Sequence, residues 1–162
     1  MYENHPVEVP QEGSYLRGLI GALLGALVGA VAWCLVMQLG VIASLVGFAI
    51  GFLAEKGYTL FKGKVGGGKV VILIIAVIFG VLAGTFGAHY VDWCQAIGEY
   101  APVSYGEVPG LILDELRTNE EYMIATVKDL ALGLLFAFLG VFGVLKSASQ
   151  QAKARAEQNK TM

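Results

Sequence analysis

The sequence predicts an all-α, polytopic integral membrane protein with four transmembrane helices and glycine-rich packing faces, and three observations carry that prediction. Hydrophobic residues make up 56% of the 162-residue chain and charged residues only 15%, against roughly 25% charged in an average soluble domain. From Gly18 to Ala54 there is no Asp, Glu, Lys or Arg. The 22 glycines sit inside apolar runs rather than in polar linkers. In water an interior glycine costs a helix about 1 kcal/mol relative to alanine, whereas close backbone approach between lipid-embedded helices offsets that cost.

The run that begins at Gly18 is too long for one crossing. As a single helix it would reach about 55 Å, against a hydrocarbon core of roughly 30 Å. Met37-Gln38-Leu39-Gly40 holds its only strongly polar side chain and a glycine suited to a turn. A helical hairpin is therefore expected, with spans at about 16–37 and 41–61. A third span, about 70–91, lies between Lys69 and Asp92, and its only titratable groups, His89 and Tyr90, are at its end. Leu130 to Leu145 is short for a fourth, but Thr118-Asn-Glu-Glu121 has the form of a capping box. One helix is thus expected from Asn119 to about Ser147, spanning at about 124–147. Lys128 would snorkel to the interface, and Asp129 would face water or a neighbouring helix. Residues 1–15 and 148–162 form tails, the second a solvated helix end that frays.

Charge asymmetry sets the orientation. Arg17, Lys56, Lys62, Lys64, Lys69, Lys146, Lys153, Arg155 and Lys160, nine of the eleven basic residues, fall on one side of these spans. By the positive-inside rule both termini and the glycine-rich loop are cytoplasmic, and the segment 92–123 is extracytoplasmic. A tail carrying Glu3, Glu8 and Glu12 is the wrong kind of leader for a cleavable signal peptide. Trp33 before Cys34 is too bulky for a lipoprotein signal. A net charge of −2 gives nucleic acid no field to bind.

One stretch, FKGKVGGGKV from Phe61 to Val70, places Gly63 and Gly68-Lys69 at the spacing of a phosphate-binding loop. That loop needs an incoming strand and a Ser or Thr after the lysine to hold magnesium. Here an apolar helix leads in and Val70 follows, so no nucleotide is expected. Gly66 to Gly68 read as a flexible hinge. Lys62 and Lys64 can touch anionic headgroups, at about 1 kcal/mol per basic residue.

Small residues recur in every span, four apart in the first and three or four apart in the others. Gly21, Gly25 and Gly29 run beside Ala22, Ala26 and Ala30; Gly40, Ser44, Gly47 and Gly51, then Gly80, Gly84 and Gly87, then Gly133, Ala137 and Gly140 follow. Such seams let helix backbones meet. Gly21, Gly25, Gly29, Gly47, Gly51, Gly80, Gly84, Gly133 and Gly140 are the candidate helix-packing residues. Either the seams all close inside one bundle, or one remains for a second copy in a homo-oligomer.

The first three spans carry no ionisable residue at mid-depth, which argues against an ion-coupled transporter or proton relay within one chain. At the outer end His89, Asp92 and Cys94 make a polar cluster, but it supplies too few ligands for a metal. No catalytic residue, metal or cofactor is assigned. Cys34 and Cys94 differ in depth, which strains the roughly 4.4–6.8 Å Cα separation of a disulfide, and both read as small buried apolar residues. Tyr90, Trp93 and Tyr100 suit an interfacial aromatic belt. Val108 to Leu116, punctuated by Pro102 and Pro109, reads as a short amphipathic helix in the interface or capping the bundle.

Gly21-Ala-Leu-Leu-Gly-Ala-Leu-Val-Gly-Ala30, Trp33, Leu39-Gly40, Gly47, Ile50-Gly51, Ala54-Glu-Lys-Gly-Tyr58 and Lys62-Gly63-Lys64 resemble an uncharacterised family of small polytopic membrane proteins from Gram-positive bacteria. The closing Gly133-Leu-Leu-Phe-Ala-Phe-Leu-Gly140 is similar to that family's last span, while Trp33-Cys34 stands where its pattern has Pro-Trp. The resemblance implies a bacterial cytoplasmic membrane and no established activity. The leading expectation is a non-enzymatic structural or accessory membrane component acting through helix–helix association, with the lipid bilayer as its partner. A small oligomeric channel or transporter with a pathway between subunits is the alternative. A membrane-embedded redox or metal enzyme, resting on the cysteines and His89, is the third.

Overall fold

A computed structural model describes residues 13–38, 44–100 and 104–158. Within them every regular element is a helix: α1 (Tyr15–Gln38), α2 (Ser44–Leu60), α3 (Gly67–Tyr100), α4 (Val108–Thr118) and α5 (Glu120–Gln158). Three stretches are long and apolar enough to cross a membrane, namely α1, Gly67–Ile97 of α3 and Glu120–Phe142 of α5. The described part of α2 has 17 residues, about 26 Å of helix. Its predicted start at Val41, and the turn at Leu39-Gly40, lie outside the described residues, as do residues 1–12 of the N-terminal tail.

The long helices form a ring. α1 packs on α2 and α3, and α5 packs on the same two, so α1 and α5 occupy opposite corners. Along α1 the residues are sorted by size. Gly18, Gly21, Ala22, Ala26, Gly29 and Ala30 of α1 are buried, while Leu24, Leu27, Val28, Val31 and Leu35 are exposed. On α3 small and large residues share the inward face, Ala76, Gly80 and Gly84 beside Leu73, Val77 and Val81, while Ile75, Phe79, Leu82 and Phe86 are outward. Trp33 is the one very large side chain of α1 inside, only 1% exposed. It spans the ring from α1 toward Gly84 of α3 and Gly133 of α5.

Two helices outrun their predicted spans. α3 does not stop at Val91 but continues through Asp92, Gln95 and Glu99 to Tyr100, and α5 runs past Ser147 to Gln158, a helical continuation of the kind expected for the tail. Polar residues end an apolar run without ending a helix; that takes a proline, a cap or a competing turn. The α5 start also differs in its cap. Asn119, with extended backbone, accepts from the Tyr122 N–H at 3.1 Å through Oδ1, so Asn119 rather than Thr118 is the N-cap. Thr118 instead donates its hydroxyl to the Asp114 carbonyl at 2.8 Å, closing α4.

The connection between α2 and α3 is tied down, which corrects the flexible-hinge reading. Gly67 and Gly68 are already helical; only Lys62 (φ 54°) and Gly66 (φ 155°) have positive φ, a geometry that costs glycine little. The Tyr58 hydroxyl donates to the Lys64 carbonyl at 2.6 Å, and the Ser14 N–H donates to the Lys62 carbonyl at 3.2 Å. Lys69 is paired within the chain. Its Nζ pairs with Glu55 Oε1 at 3.2 Å, both side chains largely buried, and lies over the Tyr58 ring. Glu55→Gln and Lys69→Met are each expected to cost about 1–3 kcal/mol, because either change strands a partly buried charge. The double variant should cost less than the sum of the two. Thermal unfolding of the four proteins in one detergent measures this, and strict additivity would mean the pair is not coupled.

Candidate functional site

The densest polar grouping among the described side chains lies at the end of the ring where α1 finishes and α3 runs on. Gln38, the last residue of α1, donates to Asp92 Oδ1 at 2.7 Å and accepts from Gln95 Nε2 at 2.8 Å. One turn inward on α3, His89 Nε2 lies 3.2 Å from Thr126 Oγ1 of α5. The Thr126 hydroxyl spends its single proton on the Tyr122 carbonyl at 2.9 Å, so it is left to accept, and His89 donates through Nε2–H. The His89 and Tyr122 rings pack at 5.0 Å between centroids, tilted by 50°. Asp92 and Asp129 are the carboxylates whose charge reaches His89. Thr85, one turn deeper, is buried, and its hydroxyl has no partner, as is also true of the Trp33 indole N–H.

His89, Asp92 and Cys94 are therefore not one site. His89 turns to α5, Asp92 to α1, and Cys94 packs with Trp93 against the Ile97, Val108 and Ile112 cluster beneath α4. Successive positions on a helix differ by about 100°, so residues 89, 92 and 94 point toward different neighbours once each neighbour is present. Among the described residues no three His, Cys, Asp or Glu side chains converge as a metal would need. Cys34 and Cys94 are both free, and the Cys34 thiol donates to the Gly84 carbonyl at 3.4 Å. Tyr90 of the predicted aromatic belt is exposed, while the Tyr100 side chain lies outside the described residues.

The candidate packing glycines all lie at helix contacts. Gly21 faces the Gly57 carbonyl, Gly25 the Leu53 carbonyl and Gly29 the Ile50 backbone, all between α1 and α2. Gly47 faces Gly133, and Gly51 and Gly140 meet across α2 and α5. Gly80 lies under Ile50 and Ala26, and Gly84 under Trp33. Of the other small residues, Gly87 faces Cys34 Sγ, Ala137 is buried, and Gly40 and the Ser44 side chain lie outside the described residues.

Sequence reasoning missed Thr126, Tyr122 and Gln95. The signal was available for Thr126, a lone small polar residue seven positions before Gly133 and so on the same face of α5. Chemically, the grouping fastens helices: His89 and Thr126 join α3 to α5, and Gln38 with Asp92 and Gln95 joins α1 to α3, each contact worth about 1 kcal/mol in membranes. Thr85→Val is expected to raise stability by about 1 kcal/mol, since it removes a buried hydroxyl that has no partner. Unfolding by denaturant in micelles measures the change, and a destabilised variant would mean that a bridging water satisfies Thr85.

No family model, curated protein or solved structure matches this chain.

Proposed function

We propose that the protein is a non-enzymatic, four-span structural or accessory component of a bacterial cytoplasmic membrane, with both termini in the cytoplasm, acting through helix–helix association. The observation that carries this reading is the inverted sorting of residue size along α1, where glycine and alanine, with Trp33, face inward and leucine, isoleucine and valine face outward. Lipid tails are as apolar as leucine, so helices in a membrane associate through close backbone packing rather than through burial of large side chains. The contacts of Gly21, Gly25 and Gly29 with α2, and of Gly47 and Gly51 with α5, support a glycine-zipper mode of packing. α2 runs beside α1 from the Gly29–Ile50 contact to the Gly18–Tyr58 contact, which supports its counting as the fourth span. The bacterial placement rests on the resemblance to small Gram-positive membrane proteins.

The reading is tested by three measurements on one preparation. Resistance to alkaline carbonate extraction is expected, as is labelling in intact cells of a cysteine at Glu107 but not at Lys64, each introduced into a Cys34→Ala, Cys94→Ala background. Light scattering in detergent, combined with ion flux in liposomes, then separates the two functional alternatives. A protein without flux, whatever its mass, keeps the structural reading; a concentration-independent oligomer that conducts overturns it in favour of a channel between subunits.

A further inference from the structure

Counting from Lys69, about 30 Å of hydrocarbon takes up roughly twenty residues of α3. The far boundary of the membrane therefore falls near His89 and Tyr90. Beyond it α3 projects as a post, and α4 packs against that post through Val108 and Ile112 on Ile97. Between the two helices, at the boundary itself, lies an open groove of about 350 Å³ lined by Phe86, Gly87, Tyr90, Pro109, Ile112 and Leu113. That is the size of a ligand pocket. Its side chains are apolar except for the Tyr90 hydroxyl, which is drawn off toward the Tyr105 carbonyl at 3.4 Å.

The charge beside the groove narrows the occupant. Arg117 stands four positions after Leu113 and eight after Pro109, so all three share one stripe of α4, and Arg117 is exposed. Asp114 is turned about 100° away from Leu113. An apolar cleft open at the hydrocarbon boundary, with an exposed arginine one helical turn beyond Leu113 on the same stripe, matches a molecule with an apolar chain and an anionic phosphate. We propose that the groove holds one acyl chain of an outer-leaflet phospholipid, with its phosphate met by Arg117. The proposal rests on the membrane-spanning reading above.

The test is native mass spectrometry of the full-length protein in detergent, titrated with phosphatidylglycerol or with a diacylglycerol of the same chains. One saturable phosphatidylglycerol per chain is expected. Leu113→Trp should lose both lipids by filling the groove. Arg117→Glu should weaken phosphatidylglycerol by about fivefold or more and leave diacylglycerol unchanged. Both side chains are exposed, so neither variant disturbs the bundle. Undiminished binding by Leu113→Trp, or an Arg117→Glu effect that is nil or equal for the two lipids, overturns the proposal. Carbonate-resistant protein that retains no lipid would sink this proposal alone, whereas protein extracted by carbonate would sink the membrane reading itself.

Discussion

Gly25→Leu is expected to destabilise the bundle by about 3 kcal/mol or more, the upper end of what overpacking does in well-filled interiors. A Cβ at Gly25 would lie 2.7 Å from the Leu53 carbonyl carbon and 3.1 Å from the Ala54 nitrogen, and closer still to the Leu53 oxygen. These are backbone atoms, so no rotamer change on α2 makes room. α1 and α2 would have to separate along the line that also joins Gly21 to Gly57 and Gly29 to Ile50. The control is Gly110→Ala on α4, where an added Cβ meets nothing within 4 Å and should stabilise by about 0.4–1 kcal/mol. Denaturant titration in mixed micelles compares them. A Gly25→Leu protein as stable as wild type would mean that α1 and α2 do not approach this closely.

Trp33→Ala is the second large effect, expected to cost about 3–5 kcal/mol as a buried aromatic truncation. The ring fills the middle of the helix ring. A Cβ at Gly84 would lie 3.0 Å from Trp33 Cγ, and one at Gly133 would lie 2.9 Å from Cζ3. Removing the indole leaves two glycine faces opposite a void. Trp33→Phe should cost less than half as much, because it keeps most of the ring and deletes an N–H that has no hydrogen-bond partner. The same titration decides the matter. Equal losses for the two variants would mean that the N–H is satisfied by a bound water and that hydrogen bonding, rather than volume, sets the role of Trp33.

The helical class and the positions of the apolar stretches were legible because they depend on composition and period, which are local. The amphipathic helix expected at Val108–Leu116 appears as α4 for the same reason. What stayed hidden was set by neighbours. Nothing in the residues around Lys69 says that Glu55, fourteen positions earlier, will neutralise it. The triple glycine suggested mobility, yet the Tyr58 hydroxyl and the Ser14 N–H fasten the loop by its own carbonyls at Lys64 and Lys62. His89 and Asp92 looked like partners because they are three apart. Their actual partners, Thr126 and Gln38, are 37 and 54 positions away, distances that only the ring order makes short.

That order has a consequence for biosynthesis. The slot around Trp33 has one wall on α3 and another on α5, and the chain emerges from the ribosome in sequence. α1 and α2 can join as soon as both exist, through contacts that need no later segment. Trp33 then gains Gly84 when α3 arrives, but its last wall, Gly133, is synthesised a hundred residues after it. Until α5 enters, the benzo edge of the indole, which ends at Cζ3 and Cη2, faces the gap in a half-built ring. A nascent chain cut short before α5 would leave that edge of the indole uncovered, the one wall of the slot that no earlier segment supplies.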